Sequence, residues 1–395
     1  MKLNRFLITL MALLGSFSVN ALEQDGLSGN GATGVFLNLD TSYSVDDNVF
    51  LLSSSALDDS ILRVSPSARF VGKSGMNTYS VLYNGEKAFY DNFDSESYYD
   101  QRLGGIVNFD FSGKTNLTLD ASFADLHDDR GTGGSEGDQA RAGEPDEYDL
   151  LKYGFDFKLG TNTSRFQGQV RADVADKEYT NNREVTFDRD FERTTYGGAV
   201  FYNLSTQSAL LFEVIAGDIE YDSLPSTGFT LDSEETAYLV GFQWEIGAKT
   251  TGHVKVGQQD KKFDDPARED QDGSSWNVAA NWSPRTYTTF TLGTSRAFRE
   301  TNGFGDDILS TSYDVSWQYV WNSRFLTNLK YAYIEDEEQP TARVDETNRF
   351  DFNAVYNFRR WMDIEFDAAF ADRKSNATLI PYDRTIYTLS VNLGI

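Results

Sequence analysis

Short and long connections take turns along this chain. Between them lie segments of about ten residues in which apolar and polar side chains alternate. A period of two marks a strand whose two faces meet different surroundings. Near the end, Tyr387, Leu389, Val391, Leu393 and Ile395 point one way, and Thr388, Ser390, Asn392 and Gly394 the other. Just before, Met362, Ile364, Phe366, Ala368 and Phe370 alternate with Asp363, Glu365 and Asp367. Aspartates in mid-strand make sense only if their face is wet. The pattern predicts an all-β fold: a transmembrane, antiparallel, up-and-down β-barrel of about 18 strands, with 16 as the alternative.

The connections check this independently. The short ones read GKSGM, SGKTN, GTNTS, STQS, GAKT, SPRT, NSR and RRW. None contains an acid and most carry Lys or Arg, which suits periplasmic turns. The others, such as YDNFDSES, FDDPAREDQDG and IEDEEQPTARVDE, are longer and mostly acidic, which suits extracellular loops. Trp244, Trp282, Trp321 and Trp361 each sit beside a short turn, where an interfacial aromatic girdle belongs.

The bulk numbers agree with this frame. A formal charge of −26 over 395 residues argues against nucleic acid, whose phosphates demand cations. Cysteine is absent, which removes disulfides, thiol nucleophiles and Cys metal sites. A hydrophobic content of 39% is compatible with a membrane barrel, because half of each strand faces water. Residues 1–21 read as a signal peptide: Lys2 and Arg5 form the basic end, Phe6 to Phe17 the apolar core and Val19-Asn20-Ala21 the cleavage site. Residues 22–33 are a Gly-rich, flexible periplasmic lead-in, and 34–395 the barrel. The apolar C-terminus resembles the signal read by the barrel assembly machinery. The expected location is the outer membrane of a Gram-negative bacterium, with lipid and lipopolysaccharide as neighbours.

Strand parity assigns candidate lumen-lining residues. They are Arg63, Arg69, Arg102, Asp156, Lys158, Arg171, Asp173, Lys330, Asp351, Asp363, Glu365 and Asp367. A Lys or Arg facing lipid near the midplane would cost about 2–4 kcal/mol, so parity is strongly enforced. For any one residue, pairing across the wall is the simpler role and solute selection the sharper one. Asp363, Glu365 and Asp367 form an acid ladder with steps of about 7 Å, suited to cations or sugar hydroxyls, or to a base such as Lys330. The longest loop, about 127–147, has the length to fold inward. No catalytic set, cofactor or metal site is expected. The Asp-rich loop around Asp264, Asp265, Glu269 and Asp270 reads as solvated surface or as a bridge, through divalent ions, to lipopolysaccharide phosphates.

The N-terminal part reads LDTSYSVDDNVF from Leu39, ILRVSPSA from Ile61 and YSVLYNGEKAFY from Tyr79. It resembles the β-barrel porins of exopolysaccharide biosynthesis loci: an Asp-Asn turn after the first strand, a strand with Ser-Pro, then a strand with Tyr-x-Gly. The resemblance implies passage of a secreted exopolysaccharide or capsular polysaccharide, as cargo, with a periplasmic polysaccharide export protein as partner. The residues themselves leave a general or substrate-selective diffusion porin open as the alternative, and an enzyme as a remoter third.

Overall fold

The computed structural model describes residues 33–137, 143–225, 228–247, 249–301 and 305–394. The signal segment, nearly all of the lead-in and Ile395 lie outside them. The strands are β1 (Gly34–Asp46), β2 (Asp59–Ser74), β3 (Asn77–Tyr90), β4 (Tyr99–Asp110), β5 (Thr115–Asp128) and β6 (Asp146–Leu159). Then come β7 (Phe166–Tyr179), β8 (Phe191–Ser205), β9 (Ser208–Tyr221), β10 (Ser233–Ile246), β11 (Thr250–Phe263) and β12 (Gln271–Arg285). The last six are β13 (Thr288–Glu300), β14 (Asp307–Asn322), β15 (Phe325–Gln339), β16 (Arg343–Arg359), β17 (Met362–Ser375) and β18 (Tyr382–Gly394).

Each strand pairs antiparallel with its neighbours in sequence, and β1 pairs with β18 from Asn38↔Gly394 to Asp46↔Ile386. The 18-stranded sheet is therefore closed, and no edge is left for lipid to meet. Directly opposed residues share a face, so the register carries one parity around the whole ring. On a closed cylinder side chains diverge outward and converge inward. Val35 is 65% exposed and Leu389 55%, whereas Ser44 is 1% and Asp46 0% exposed. The apolar set is thus the outer face and the polar set the inner one.

Two stretches depart locally from the sequence reading. IEDEEQPTARVDE was expected as a long loop, yet only residues 340–342 connect β15 to β16. Glu338 lies opposite Arg343 and meets it at 3.0 Å, an opposite-charge pair that extends the ladder to the hairpin tip. Asp307 through Thr311, at the start of β14, are buried without a break instead of alternating like Tyr313 to Trp321, and Arg296 donates to the Thr311 hydroxyl at 3.1 Å. Glu300 accepts hydrogen bonds from Tyr221 at 2.8 Å and Lys261 at 2.9 Å. Phe298 helps line a cavity of about 50 Å³ with Arg193, Thr195, Ile215, Ala237 and Gln259.

Candidate functional site: the lumen wall and its mouth

The register places all twelve candidate charges on the inner face. Arg63 lies opposite Ser42, Arg69 opposite Phe36, and Arg102 opposite Asn84. Asp156 lies opposite Arg171, Lys158 opposite Gln169, and Asp173 opposite Gly154. Lys330 faces Asp351, Asp367 faces Asn353, Glu365 faces Val355, and Asp363 faces Asn357.

Some of these charges are neutralised within the wall. Arg63 donates to Ser44 at 3.0 Å and to the Tyr98 hydroxyl at 3.3 Å, and lies 3.7 Å from Glu86. Arg171 pairs with Glu213 at 3.0 Å, and Lys255 holds the other oxygen of that carboxylate at 2.7 Å. Lys158 lies 3.6 Å from Asp156. Asp351 is taken by Arg349 at 2.8 Å rather than by Lys330, although Lys330 stands directly opposite. Such pairs stiffen a hollow wall and leave little net charge.

The acid ladder is different. Asp363 accepts from Asn357 and Asp367 from Asn353, both at 2.8 Å. Among the described residues no cation lies within ion-pair distance of Asp363, Glu365 or Asp367. Asp40 joins the patch through Asn392, which opposes both Asp40 and Asp363. Hydroxyls flank it: Ser42 lies opposite Ser390 and Ser44 opposite Thr388. Amide partners hold the carboxylates in place without cancelling their charge. The sequence signal for Asn353 and Asn357 is their parity, which puts them on the polar face with Asp351 but does not pair them with the ladder.

The mouth holds what parity could not supply. The β5–β6 loop reaches β16 and β17, seven and six positions from β5 around the ring. Glu136 in this loop meets Arg343 of β16 at 2.7 Å and Arg373 of β17 at 2.6 Å. Arg343 also holds Asp345 at 2.6 Å and Glu338 at 3.0 Å. All five side chains of this knot are largely buried. On the way, Arg130 pairs with Glu96 of the β3–β4 loop at 2.9 Å. Gly131 has φ +80°, and a Cβ there would lie 2.4 Å from the Phe50 carbonyl oxygen of the β1–β2 loop. Only glycine fits that crossing. Beneath it, Val49, Ile61, Ala88 and Tyr98 form a small apolar cluster. The β7–β8 loop carries a short helix, α1 (Arg183–Thr186). There the hydrogen-bonded Asp190 carboxylate, 2.6 Å away, raises the pKa of the Arg183 guanidinium.

The girdle candidates lie at the opposite end. Trp244 and Trp282 are on the outer parity, Trp321 is exposed at the end of β14, and Trp361 is in the β16–β17 turn. Around them Trp282, Phe290, Trp317, Tyr319 and Trp321 run ring to ring with centroid separations of 4.6 to 6.1 Å. Among the described residues no group of three or more His or acidic side chains is arranged to hold a metal ion.

A closed antiparallel wall, apolar outside and polar within, defines an outer-membrane β-barrel channel. The chain belongs to the Putative beta-barrel porin 2 family, whose model matches residues 34–394. Its place is the outer membrane of a Gram-negative bacterium. No curated protein is similar enough to count as a relative. Solved structures share the fold at low identity. The apoprotein of the FrpB iron transporter of Neisseria meningitidis is 12% identical, with a TM-score of 0.50. That match covers 87% of this chain and 62% of the transporter. OpdL of Pseudomonas aeruginosa is 11% identical with a TM-score of 0.49, covering 92% and 98% of the two chains. OpdK of the same organism, solved with vanillate, is 10% identical with a TM-score of 0.48, covering 91% and 99%.

Proposed function

We propose that this channel is a passive conduit for a secreted exopolysaccharide or capsular polysaccharide, fed by a periplasmic polysaccharide export protein. One observation carries the reading. The ladder Asp363, Glu365 and Asp367 is held by amides, flanked by Ser and Thr hydroxyls, and has no cation against it. Such a strip accepts and exchanges hydrogen bonds with sugar hydroxyls as a hydrated polymer slides past. A barrel of about 18 strands encloses more space than its side chains fill, which suits a chain of sugar rings. The resemblance of the first hairpins to porins of exopolysaccharide loci points the same way. The motive force would come from synthesis upstream, and the wall itself is assigned no chemistry.

Deletion of the gene tests the proposal. The expected result is loss of polymer from the cell surface with build-up in the periplasm. Unchanged surface polymer would refute it.

The mouth favours a second reading. A loop docked across the opening, as the Glu136 knot docks it, narrows a bore to small solutes and suits a substrate-selective diffusion porin. Planar-bilayer recordings separate the two. Export predicts blockade by oligosaccharides of the size of the cargo, whereas diffusion predicts a steady open conductance that small solutes alone perturb.

A further inference from the structure

Four successive turns, β10–β11 to β16–β17, repeat one pairing of residues. Trp244 precedes Lys249, Trp282 precedes Arg285, Trp321 precedes Arg324, and Arg359 and Arg360 precede Trp361. Trp282, Trp321 and Trp361 are 52%, 57% and 54% exposed, and all five cations are exposed. Among the described residues none of these cations makes an ion pair. The four turns themselves hold no acid, although the chain carries a net charge of −26, and Glu245, between Trp244 and Lys249, lies on the inner parity opposite Thr251. The Arg359 guanidinium sits over the outward Phe358 ring at 4.5 Å, against the barrel's apolar flank rather than free in the periplasm.

An indole settles at the depth of the lipid headgroups. A cation one to five residues away, on the same rim, is then held at the plane of the phosphates. A guanidinium is a planar fork of donors that grips two phosphate oxygens at once. Short turns of such barrels face the periplasm, so the leaflet at this end is the inner one, made of phospholipid. We propose that the β10–β17 arc of the turn end binds anionic phospholipid, with the arginines on the phosphodiester and the indoles along the upper acyl chain. The shared level of indole and cation, turn after turn, is what favours lipid over a soluble acidic protein. The site serves the barrel whatever its cargo.

The test uses the refolded full barrel in mixed micelles and reads tryptophan quenching by lipids brominated on the acyl chain. Brominated phosphatidylglycerol is expected to compete about fivefold better than brominated phosphatidylcholine at low salt. The preference should fade as salt screens the charges. In the variant Arg285→Gln/Arg324→Gln/Arg359→Gln/Arg360→Gln, with folding confirmed by circular dichroism, the ratio should fall to about one. Equal competition by the two lipids in the unmodified barrel overturns the proposal, and so does an unchanged preference in the folded variant. If the variant fails to fold, the unmodified barrel and its salt dependence decide alone.

Discussion

The two rims of this barrel carry opposite charge and are built on opposite principles. At the turn end, cations stand alone beside indoles, and acids near it such as Asp110, Asp156 and Asp363 face inward. At the loop end, carboxylates confront carboxylates across neighbouring strands on the outer face. Asp149 lies opposite both Asp125 and Glu178, Glu192 opposite Glu220, Asp218 opposite Glu234, and Asp260 opposite Asp272. Like charges in direct opposition are destabilising in a sheet, and these persist because water and salt screen them above the apolar band. Inside the mouth, where screening fails, Glu96, Glu136 and Asp345 are instead tied to arginines. Location rather than net charge therefore decides what each carboxylate does.

Five substitutions sharpen the contrast, from the largest effect to the smallest. Arg343→Ala removes the centre of the mouth knot, strands the buried Glu338 and leaves Glu136 and Asp345 to share Arg373. The expected loss is about 3–5 kcal/mol, read from urea unfolding in micelles. A loss no larger than that of an exposed rim residue would mean the knot is solvated and the two environments do not differ.

Leu119→Arg places a charge on the outer face, and its neighbour Thr118→Arg places one on the inner face. The first should cost about 2–4 kcal/mol and the second far less. Similar costs at both positions would erase the distinction between faces.

Glu136→Gln keeps the shape of the β5–β6 loop but removes the charge that docks it. A charged hydrogen bond contributes about 1.5–3 kcal/mol, so the loop should loosen. Faster proteolysis of residues 129–145 and a larger single-channel conductance are the expected signs. Unaltered conductance would show that the loop does not limit the bore.

Asp149→Asn removes one of the opposed outer carboxylates and should stabilise the barrel by about 0.2–1 kcal/mol at low salt. The gain should vanish as salt is added. A loss would mean that Asp149 has a favourable partner.

The wall was legible in the sequence because parity is enforced at every residue. A one-residue slip would turn Asp367 to lipid and Phe366 to water, so the alternation that the eye reads is the one the membrane demands. The strand near 286–299 read less clearly, since Thr288, Thr289, Thr291 and Thr294 tolerate either face. The mouth was not legible. Glu136 looks like one acid in a glycine-rich loop, and nothing local says that its partners stand more than two hundred residues on, at Arg343 and Arg373. The continuously buried run Asp307 to Thr311 is likewise not legible in a period of two. Alternation shows the acid ladder and sets Asn353 and Asn357 on a polar face, but it does not say that these amides hold the acids. Periodicity reports which surroundings a face meets, and it is silent on which distant group meets it there.

The most direct test of the whole account is a pair of spin labels at Phe366 and Asp367 in the lipid-reconstituted barrel. The account predicts that the label at Phe366 is relaxed by oxygen dissolved in lipid, and the label at Asp367 by a water-soluble nickel chelate. Equal accessibility of both labels to the same relaxant would contradict a wall that is apolar outside and hydrated within.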